Sequence, residues 1–208
     1  MEALGKTAPD QNIDESKPLP VLEYVLELVS KAKQASRRLA SLPTATKDQA
    51  LLAMAEALET QSDELLAANE QDLKAFGMTP EKKAMADRLR LTEKRIGEMA
   101  AGIREVAKLP DPVGMMSGMW TRPNGMQVGR VRVPIGVVGI IYESRPNVTA
   151  DSAALCLKSG NVCVLRGGSE AIRSNTAIAA ILSESSRKAG IPAGAITFVD
   201  RADREVVP

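Results

Sequence analysis

Apolar residues follow two different periods along the chain. From residue 21 to residue 110 they recur at helical spacing, whereas from residue 135 onward they form short continuous runs. The first helical stripe ends at Pro43 and consists of Leu22, Val25, Leu28, Val29, Ala32, Ala35 and Leu39. The pattern predicts a helical layer followed by an α/β region.

A helix-start signal opens the second helix of the layer. Thr46-x-x-Gln49 is typical of a capping box, in which each side chain satisfies a backbone N–H of the first turn. The helix that it predicts has one apolar face, formed by Leu51, Met54, Ala55 and Leu58. Residues 62–76 either continue this helix or form a third one.

Two further threonines mark helix starts. Thr79 precedes Pro80, a pair that favours threonine as the N-cap and proline at the first helical position. Thr92 opens the last helix of the layer, which ends at Asp111-Pro112 and has the stripe Ile96, Met99, Ile103 and Val106. The charged runs on the outer faces are typical of a solvated surface, so we expect no catalytic chemistry in this layer.

A two-stranded arm is predicted for residues 114–134. Pro123-Asn124-Gly125 favours a tight hairpin turn. Valines alternate with Arg130 and Arg132 in the second strand, provided that a bulge lies near Gly129. We interpret the arm as a segment that packs on another part of the fold or on another subunit. Its basic edge leaves anion binding open as the less favoured interpretation.

From residue 135 onward the pattern predicts a parallel sheet. Residues 135–141 form a near-continuous apolar run, typical of a strand buried on both faces, and residues 162–165 form a second run. A helix that ends at Lys158-Ser-Gly160 joins them, which makes a βαβ unit.

A long helix over residues 170–189, with Gly190 as its C-cap, and a third strand over 195–199 extend this unit to βαβαβ. This is about half of a doubly wound sheet. Because such a sheet has an open edge, we expect the chain to be part of a longer protein. The predicted units are a disordered leader over 1–20, a helical layer over 21–113, the arm over 114–134 and an α/β domain over 135–208.

Composition narrows the class of protein. The chain has 208 residues, of which 44% are hydrophobic and only 2% aromatic, and its net charge is +1. Nucleic-acid binding is not expected, because there is no basic run and little aromatic surface for base stacking. No apolar stretch reaches the length of a membrane span, and the polar start has no apolar signal core. Two cysteines do not make a disulfide framework, so we predict a cytoplasmic protein.

Two loops follow the first two predicted strands, at the carboxyl edge where open α/β sheets bind ligands. The second loop, Arg166-Gly-Gly-Ser-Glu170, combines glycines that allow close approach with a helix start that favours anions. Ser169 suits the N-cap, and Arg166 suits a phosphate or carboxylate. The sequence is not the G-x-G-x-x-G fingerprint, so a tight capped turn without a ligand is an equally good interpretation.

The first loop, residues 142–149, offers a carboxylate, a guanidinium, an amide and hydroxyls. Pro146 restricts Arg145 to an extended conformation. Asn147 is suited to donate to a developing oxyanion, and the alternative is that it satisfies local backbone groups.

Two residue types limit the chemistry further. The sequence has no histidine, which excludes His-based acid–base catalysis and most zinc sites, and we predict no metal site. Cys156 lies in a predicted helix and Cys163 in a predicted buried strand, so both are expected to be structural.

Residues 131–175 closely resemble the γ-glutamyl phosphate reductases (glutamate-5-semialdehyde dehydrogenases) of proline biosynthesis, within the aldehyde dehydrogenase superfamily. The strings IYESRPNVT and LCLKSGN…LRGGSEA are long and family-specific, and DRLRLTEKRI and LPDPVG in the helical layer fit as well. The resemblance covers about residues 25–207. It implies an aldehyde dehydrogenase-like fold and the NADPH-dependent reduction of γ-glutamyl phosphate to glutamate 5-semialdehyde and phosphate.

The resemblance also implies roles for single residues. Asn147 falls at the position of the oxyanion-stabilising asparagine, Arg145 and Pro146 line the approach to nicotinamide and substrate, and Glu143 joins Arg145 as a substrate-binding candidate. Arg166 falls where the superfamily commonly has a lysine at the adenosine ribose, and arginine is compatible with a 2′-phosphate. The adenosine-side pocket is completed by Gly167, Gly168, Ser169 and Glu170.

The resemblance further implies a cysteine nucleophile that forms a thioacyl enzyme before hydride transfer. Neither Cys156 nor Cys163 matches its motif. We therefore expect that cysteine in a catalytic domain outside the chain, interpret residues 135–208 as the first half of the NADPH-binding domain, and predict that the chain alone is inactive.

A homo-oligomer is expected for the complete enzyme. Contact with glutamate 5-kinase is considered because an acyl phosphate is unstable. Two alternatives stay open: a non-catalytic truncated chain that binds nucleotide or a partner subunit without turnover, and an aldehyde dehydrogenase with another substrate.

Overall fold

A computed structural model describes residues 20–77 and 79–201. The predicted leader lies almost entirely outside these residues. The helical layer consists of α1 (Val21–Leu39), α2 (Thr44–Thr60), α3 (Ser62–Phe76), a 3-10 turn (Pro80–Lys82) that leads into α4 (Lys83–Leu89), and α5 (Glu93–Lys108). Residues 62–76 therefore form a third helix.

The helix starts agree with the sequence signals only in part. Thr92 caps α5, since its hydroxyl accepts a hydrogen bond from the N–H of Arg95 at 3.2 Å. The capping box at Thr46 is wrong, because α2 begins two residues earlier and the Thr46 N–H already bonds to the Pro43 carbonyl. Thr79 precedes a 3-10 turn and makes no side-chain capping bond.

The predicted apolar face of α2 is confirmed, since Leu51, Met54, Ala55 and Leu58 are fully buried. The stripe of α1 is buried only in its C-terminal half, at Ala32, Ala35 and Leu39. Leu22 keeps 70% of its surface exposed, although Tyr24 in the same turn contacts Asp200 through a 2.6 Å hydrogen bond.

The arm is an antiparallel hairpin of β1 (Met116–Thr121) and β2 (Gln127–Val131). The predicted bulge is present opposite Gly129, although the extra residue lies in β1, next to Gly118 with a φ of 63°. The turn is wider than a two-residue hairpin. Gly125 alone adopts a positive φ there, and its N–H bonds to the Arg122 carbonyl at 2.8 Å.

The α/β region confirms the predicted fold class. The three strands β3 (Val137–Ile141), β4 (Val162–Arg166) and β5 (Ile196–Phe198) are parallel and lie in the order β3-β4-β5. The crossover helices are α6 (Pro146–Lys158) and α7 (Ile172–Lys188), the latter after a 3-10 turn over Ser169–Ala171. Gly190 follows α7 with a φ of 98°, as expected of a C-terminal glycine.

One expectation for the sheet is wrong. β3 is not buried on both faces, and Ile141 keeps 62% of its surface exposed. The reason is that β3 is an edge strand among the described residues, whereas the central strand β4 is mostly buried.

Two lysines with buried side chains link the helical layer to α6. Lys47 pairs with Asp111 and Lys158 pairs with Asp48, each at 2.5 Å, and the lysine side chains are only 1% and 5% exposed. Each ammonium also donates to a carbonyl near a helix C-terminus: Lys47 to Lys158 of α6 and Lys158 to Ala107 of α5. Both lysines therefore satisfy helix-end carbonyls as well as carboxylates.

Candidate functional site

The two loops predicted to carry chemistry meet at the carboxyl edge of the sheet. The Tyr142 N–H donates to the Arg166 carbonyl at 3.1 Å, and the Ser144 hydroxyl donates to the Glu170 carboxylate. The Tyr142 hydroxyl anchors the first loop through a 2.6 Å hydrogen bond to the Thr149 hydroxyl. Because burial raises the pKa of Tyr142 to about 12, its hydroxyl is an anchor rather than an acid or base.

The first loop delivers Asn147 to the start of α6. Arg145 is extended, with φ −122° and ψ 102°, as expected of a residue before proline. Pro146 is buried at the first helical position, while Asn147 is exposed in the first turn. The Asn147 amide donates to the Asp151 carboxylate, one turn along α6, at 3.3 Å.

The second loop needs its glycines for close packing against the chain's own side chains. A Cβ atom at Gly167 would overlap the Asn175 amide, and one at Gly168 would overlap the Ser144 hydroxyl. The close approach predicted for these glycines is therefore present, and the groups that approach belong to the protein.

The start of α7 is capped differently from the prediction. Ser169 is not the N-cap; Gly168 holds that position before the 3-10 turn and Ala171 before α7. Asp72 of α3 instead accepts hydrogen bonds from the N–H groups of Arg173 and Ser174, at 3.3 and 2.8 Å. These helix-start donors bind the protein's own carboxylate, so they are not an open anion site.

Arg166 keeps one donor without a partner. Its Nε is buried and hydrogen-bonds to no acceptor in residues 20–77 and 79–201. The Glu170 carboxylate lies close by. Its pKa is lowered by the Ser144 hydrogen bond first and by the charge of Arg166 to a smaller extent. The half-buried Arg166 guanidinium and the Glu170 carboxylate together suit a polar ligand that both accepts and donates hydrogen bonds.

A cleft of about 390 Å³ opens beside Asn147, between α5, the start of α6 and the segment that joins α4 to α5. Its apolar lining is Leu91, Met99 and Pro146, and its basic lining includes Arg88, Arg90 and Arg145. The structure thus brings Arg145, Pro146 and Asn147 together in one cleft. Glu143 is not part of the lining; it is exposed and lies 3.7 Å from Arg145.

The helical layer supplies residues that sequence reasoning missed. Arg88 and Arg90 were included in a layer expected to have no chemistry, yet they line the cleft. The signal in the sequence is the density of arginine in residues 88–95, which the charge pattern alone does not distinguish from a solvated surface.

Asp151 is an ionisable group inside this cleft. It is open to solvent there, and the adjoining protein still desolvates its carboxyl enough to raise its pKa, against the effect of the Asn147 hydrogen bond. No group of three His, Cys, Asp or Glu side chains suited to a metal ion occurs within the part of the chain that is described.

Both cysteines are buried. Cys156 is 8% exposed and Cys163 is fully enclosed. A hydrogen bond with Cys156, together with desolvation, raises the pKa of the Cys163 thiol well above its usual value. Their burial agrees with the structural role predicted for them. None of the described helices is long and apolar enough to cross a membrane.

Comparisons with known proteins agree on one family. The family model described as the aldehyde dehydrogenase family matches residues 22–208. The γ-glutamyl phosphate reductase of Caldanaerobacter subterraneus is 58% identical over 177 residues, which is 85% of this chain and 43% of the relative. The enzyme of the same name from Moorella thermoacetica is 56% identical over 189 residues, or 89% of this chain and 45% of the relative.

The fold is similar to solved structures of that enzyme. The crystal structure of γ-glutamyl phosphate reductase from Thermotoga maritima has a TM-score of 0.83 and 40% identity, covering 88% of this chain and 44% of that one. The Saccharomyces cerevisiae structure of the same name has a TM-score of 0.76 and 26% identity, covering 88% and 47%. The chain thus spans less than half the length of these relatives.

Proposed function

Because the chain belongs to the aldehyde dehydrogenase family, we propose that it forms the first part of a γ-glutamyl phosphate reductase of proline biosynthesis. The reaction consumes an acyl phosphate and one hydride equivalent with a proton, and it releases an aldehyde and inorganic phosphate. The observation that carries the proposal is the placement of Asn147 at the mouth of an arginine-lined cleft, since the substrate is an anion with a reactive carbonyl.

Asn147 is the residue that we assign to the reacting carbonyl. Its amide is exposed at the start of a helix, where the amide and the helix dipole both favour negative charge on the carbonyl oxygen. One amide hydrogen is directed to Asp151 and the second is available for the oxyanion. Pro146 and Arg145 complete this side of the site.

We assign the cofactor side to residues 166–170. NADPH supplies the hydride when it is bound. The half-buried Arg166 guanidinium suits an acceptor oxygen of the cofactor, and the Glu170 carboxylate suits a ribose hydroxyl. Gly168 and the exposed Ser169 form the surface between them, and Gly167 is the buried glycine of the same turn. Arg166 is the residue that we propose for the 2′-phosphate.

The nucleophile is proposed to be a cysteine other than the two in this chain. Attack by a thiolate on the acyl phosphate would form a thioester and release phosphate, and hydride transfer would then release the aldehyde and regenerate the thiolate. Cys163 is fully enclosed and its raised pKa opposes the thiolate, while Cys156 is buried in α6.

The test uses the complete enzyme in the reverse direction, with glutamate 5-semialdehyde, phosphate and NADP as reactants. We expect phosphate-dependent formation of NADPH at 340 nm. Turnover of another aldehyde, with none of glutamate semialdehyde, would overturn the proposal.

A variant tests the cofactor side separately. Arg166→Ala is expected to weaken NADPH binding about 10-fold or more and NADH binding much less, because only NADPH carries the 2′-phosphate. Arg130→Ala, which removes an exposed arginine of the arm, is the control. Equal losses for both cofactors would contradict the assignment.

We further propose that the complete enzyme is a cytoplasmic homo-oligomer. The exposed apolar surface of the arm supports this assembly, because Met116, Met119 and Trp120 are 71%, 68% and 44% exposed. Contact with glutamate 5-kinase is proposed only from the instability of an acyl phosphate in water.

A further inference from the structure

Two arginines of the cleft form no close ion pair within the described part of the chain, although Asp87 and Glu98 also line it. Arg88 and Arg90 are exposed in it, and neither forms an ion pair with any carboxylate among the described residues. Arg95, at the same cleft, differs, since its guanidinium lies 3.2 Å from Asp87. A pair of unpartnered guanidinium groups above an apolar floor suits a small anionic ligand with an aliphatic stem.

Arg90 is held in place by its backbone. The buried Asn69 side chain donates to the Leu89 carbonyl at 2.9 Å and accepts from the Leu91 N–H at 2.7 Å, on either side of Arg90. The Arg95 guanidinium donates to the Arg90 carbonyl at 2.7 Å. Three hydrogen bonds thus fix the segment from which the Arg90 side chain enters the cleft.

Asp151 supplies the opposite charge at a defined spacing. It lies one helical turn after Asn147, and its carboxylate accepts a hydrogen bond from the Asn147 amide at 3.3 Å. A ligand whose carbonyl meets the second N–H of Asn147 therefore has the Asp151 carboxylate close to it along α6. Gly102 of the facing helix lies next to this carboxylate, since a Cβ there would be in ordinary contact with it at 3.8 Å.

We propose that this cleft binds the amino-acid end of the glutamyl substrate, with Asp151 accepting hydrogen bonds from the α-ammonium and Arg90 pairing with the α-carboxylate. The methylene groups then lie on Leu91, Met99 and Pro146, and Asn147 faces the reacting carbonyl. This assignment rests on the proposed function and deepens it, because it names what selects a glutamyl group over other acyl groups.

Asp151 also contacts Asn147, so an effect of substitution has to be separated from a positioning role. Three aldehydes of equal length make the separation: glutamate 5-semialdehyde, 5-oxopentanoate, which lacks the amino group, and pentanal, which lacks both charged groups. The complete enzyme is assayed with each aldehyde, phosphate and NADP, and kcat/KM is compared between variants.

Asp151→Asn is expected to lower kcat/KM about 10- to 100-fold for glutamate semialdehyde and less than about 3-fold for the other two aldehydes, since a charge-assisted hydrogen bond is lost only with the amine. Asp151→Glu keeps the charge and should retain part of the preference. An equal loss for all three aldehydes would show that Asp151 positions Asn147, and it would overturn the ammonium assignment.

Arg90→Ala is expected to lower kcat/KM about 10- to 100-fold for both carboxylate-bearing aldehydes and to leave pentanal unchanged. Arg90→Lys should recover part of the loss, and Arg37→Ala, an exposed arginine of α1, is the charge-matched control. An unchanged preference for the carboxylate would overturn the Arg90 assignment.

These results are distinguishable from failure of the proposed function. If the wild-type enzyme turns over glutamate semialdehyde and the variants show no substrate-dependent pattern, only the cleft assignment is wrong. If the wild-type enzyme does not turn over glutamate semialdehyde, the proposed function fails and this inference falls with it.

Discussion

Two groups of basic side chains in this molecule have opposite surroundings. Lys47 and Lys158 are buried between helices, and each has a carboxylate and a backbone carbonyl within hydrogen-bond distance. Arg88 and Arg90 are exposed in a cleft, and neither forms an ion pair with a carboxylate of the described chain. The partners of the first group are therefore part of the protein, whereas the second group is open to solvent and to the ligand that we propose.

The difference explains why charge alone is a poor indicator of function. A buried ammonium without partners would be unstable, so a lysine in the interior indicates a network that stabilises the fold. An exposed guanidinium costs little without a partner. Its role is indicated by where it lies, and here it lies beside Asn147.

The largest effect is expected where a buried ion pair is broken. Lys47→Met should reduce the free energy of unfolding by about 3–5 kcal/mol, because Asp111 is left without its cation. Chemical denaturation of the complete protein measures the loss. Lys94→Met, at an exposed lysine of α5, should change it by less than about 0.5 kcal/mol. If Lys47→Met lost as little unfolding free energy as Lys94→Met, the contrast between the buried lysines and the exposed arginines would be contradicted.

The cleft should show the opposite behaviour, with activity lost and stability kept. Asn147→Ala is expected to lower kcat about 10²- to 10³-fold, which is the usual effect of removing an oxyanion donor. Its unfolding free energy should change by less than about 0.5 kcal/mol, because Asn147 is exposed and its contact with Asp151 is long. Steady-state kinetics and denaturation on the same sample check both statements. An unaltered kcat would show that Asn147 does not act on the reacting carbonyl.

Asp72 is an acidic residue that we expect to stabilise the fold, as the two buried lysines do. The carboxylate is 1% exposed and accepts from the Ser174 N–H and hydroxyl at 2.8 and 2.7 Å. Asp72→Ala should destabilise the protein by about 1–3 kcal/mol, because these donors remain buried without an acceptor. Asp63→Ala on the same helix is the control at an exposed position. Equal melting temperatures for the two variants would contradict the capping role.

The smallest effect concerns Asp151 and depends on pH. Desolvation raises the pKa of Asp151 in the folded protein above its unfolded value, so the protonated form is favoured by folding. That stability is present below the unfolded pKa and is lost as pH rises through the folded pKa. Asp151→Asn should therefore gain stability relative to the wild type as pH increases through this range, as measured by melting temperature against pH. A constant difference would contradict the raised pKa.

The sequence was sufficient for the elements whose signals are local. The apolar face of α2, the cap at Thr92, the βαβαβ order and the loops at the sheet edge all follow from spacing and turn chemistry. The position of β3 at an edge does not, because an apolar run has the same appearance in a central strand and in an edge strand that faces other residues.

The site was predictable only where one segment carries it. Arg145, Pro146 and Asn147 are consecutive, and they enter the same cleft as expected of a strand-to-helix loop. Arg90 reaches that cleft through the packing of α5 on α6. Asp72 takes the capping role that the sequence predicts for Ser169. It lies 101 residues before Arg173, whose N–H donates to it. Local patterns carry no information on such distant pairs.

Asn69 has a consequence for how the protein can change over time. Besides holding the segment around Arg90, its amide donates to the Ser174 hydroxyl at 3.0 Å, and that hydroxyl donates to Asp72. One side chain of α3 thus connects the cleft to the start of α7, behind the glycine loop. A mutation at position 69 alone is expected to disturb both the cleft and the start of α7, so the residues tolerated at one of these places depend on the other.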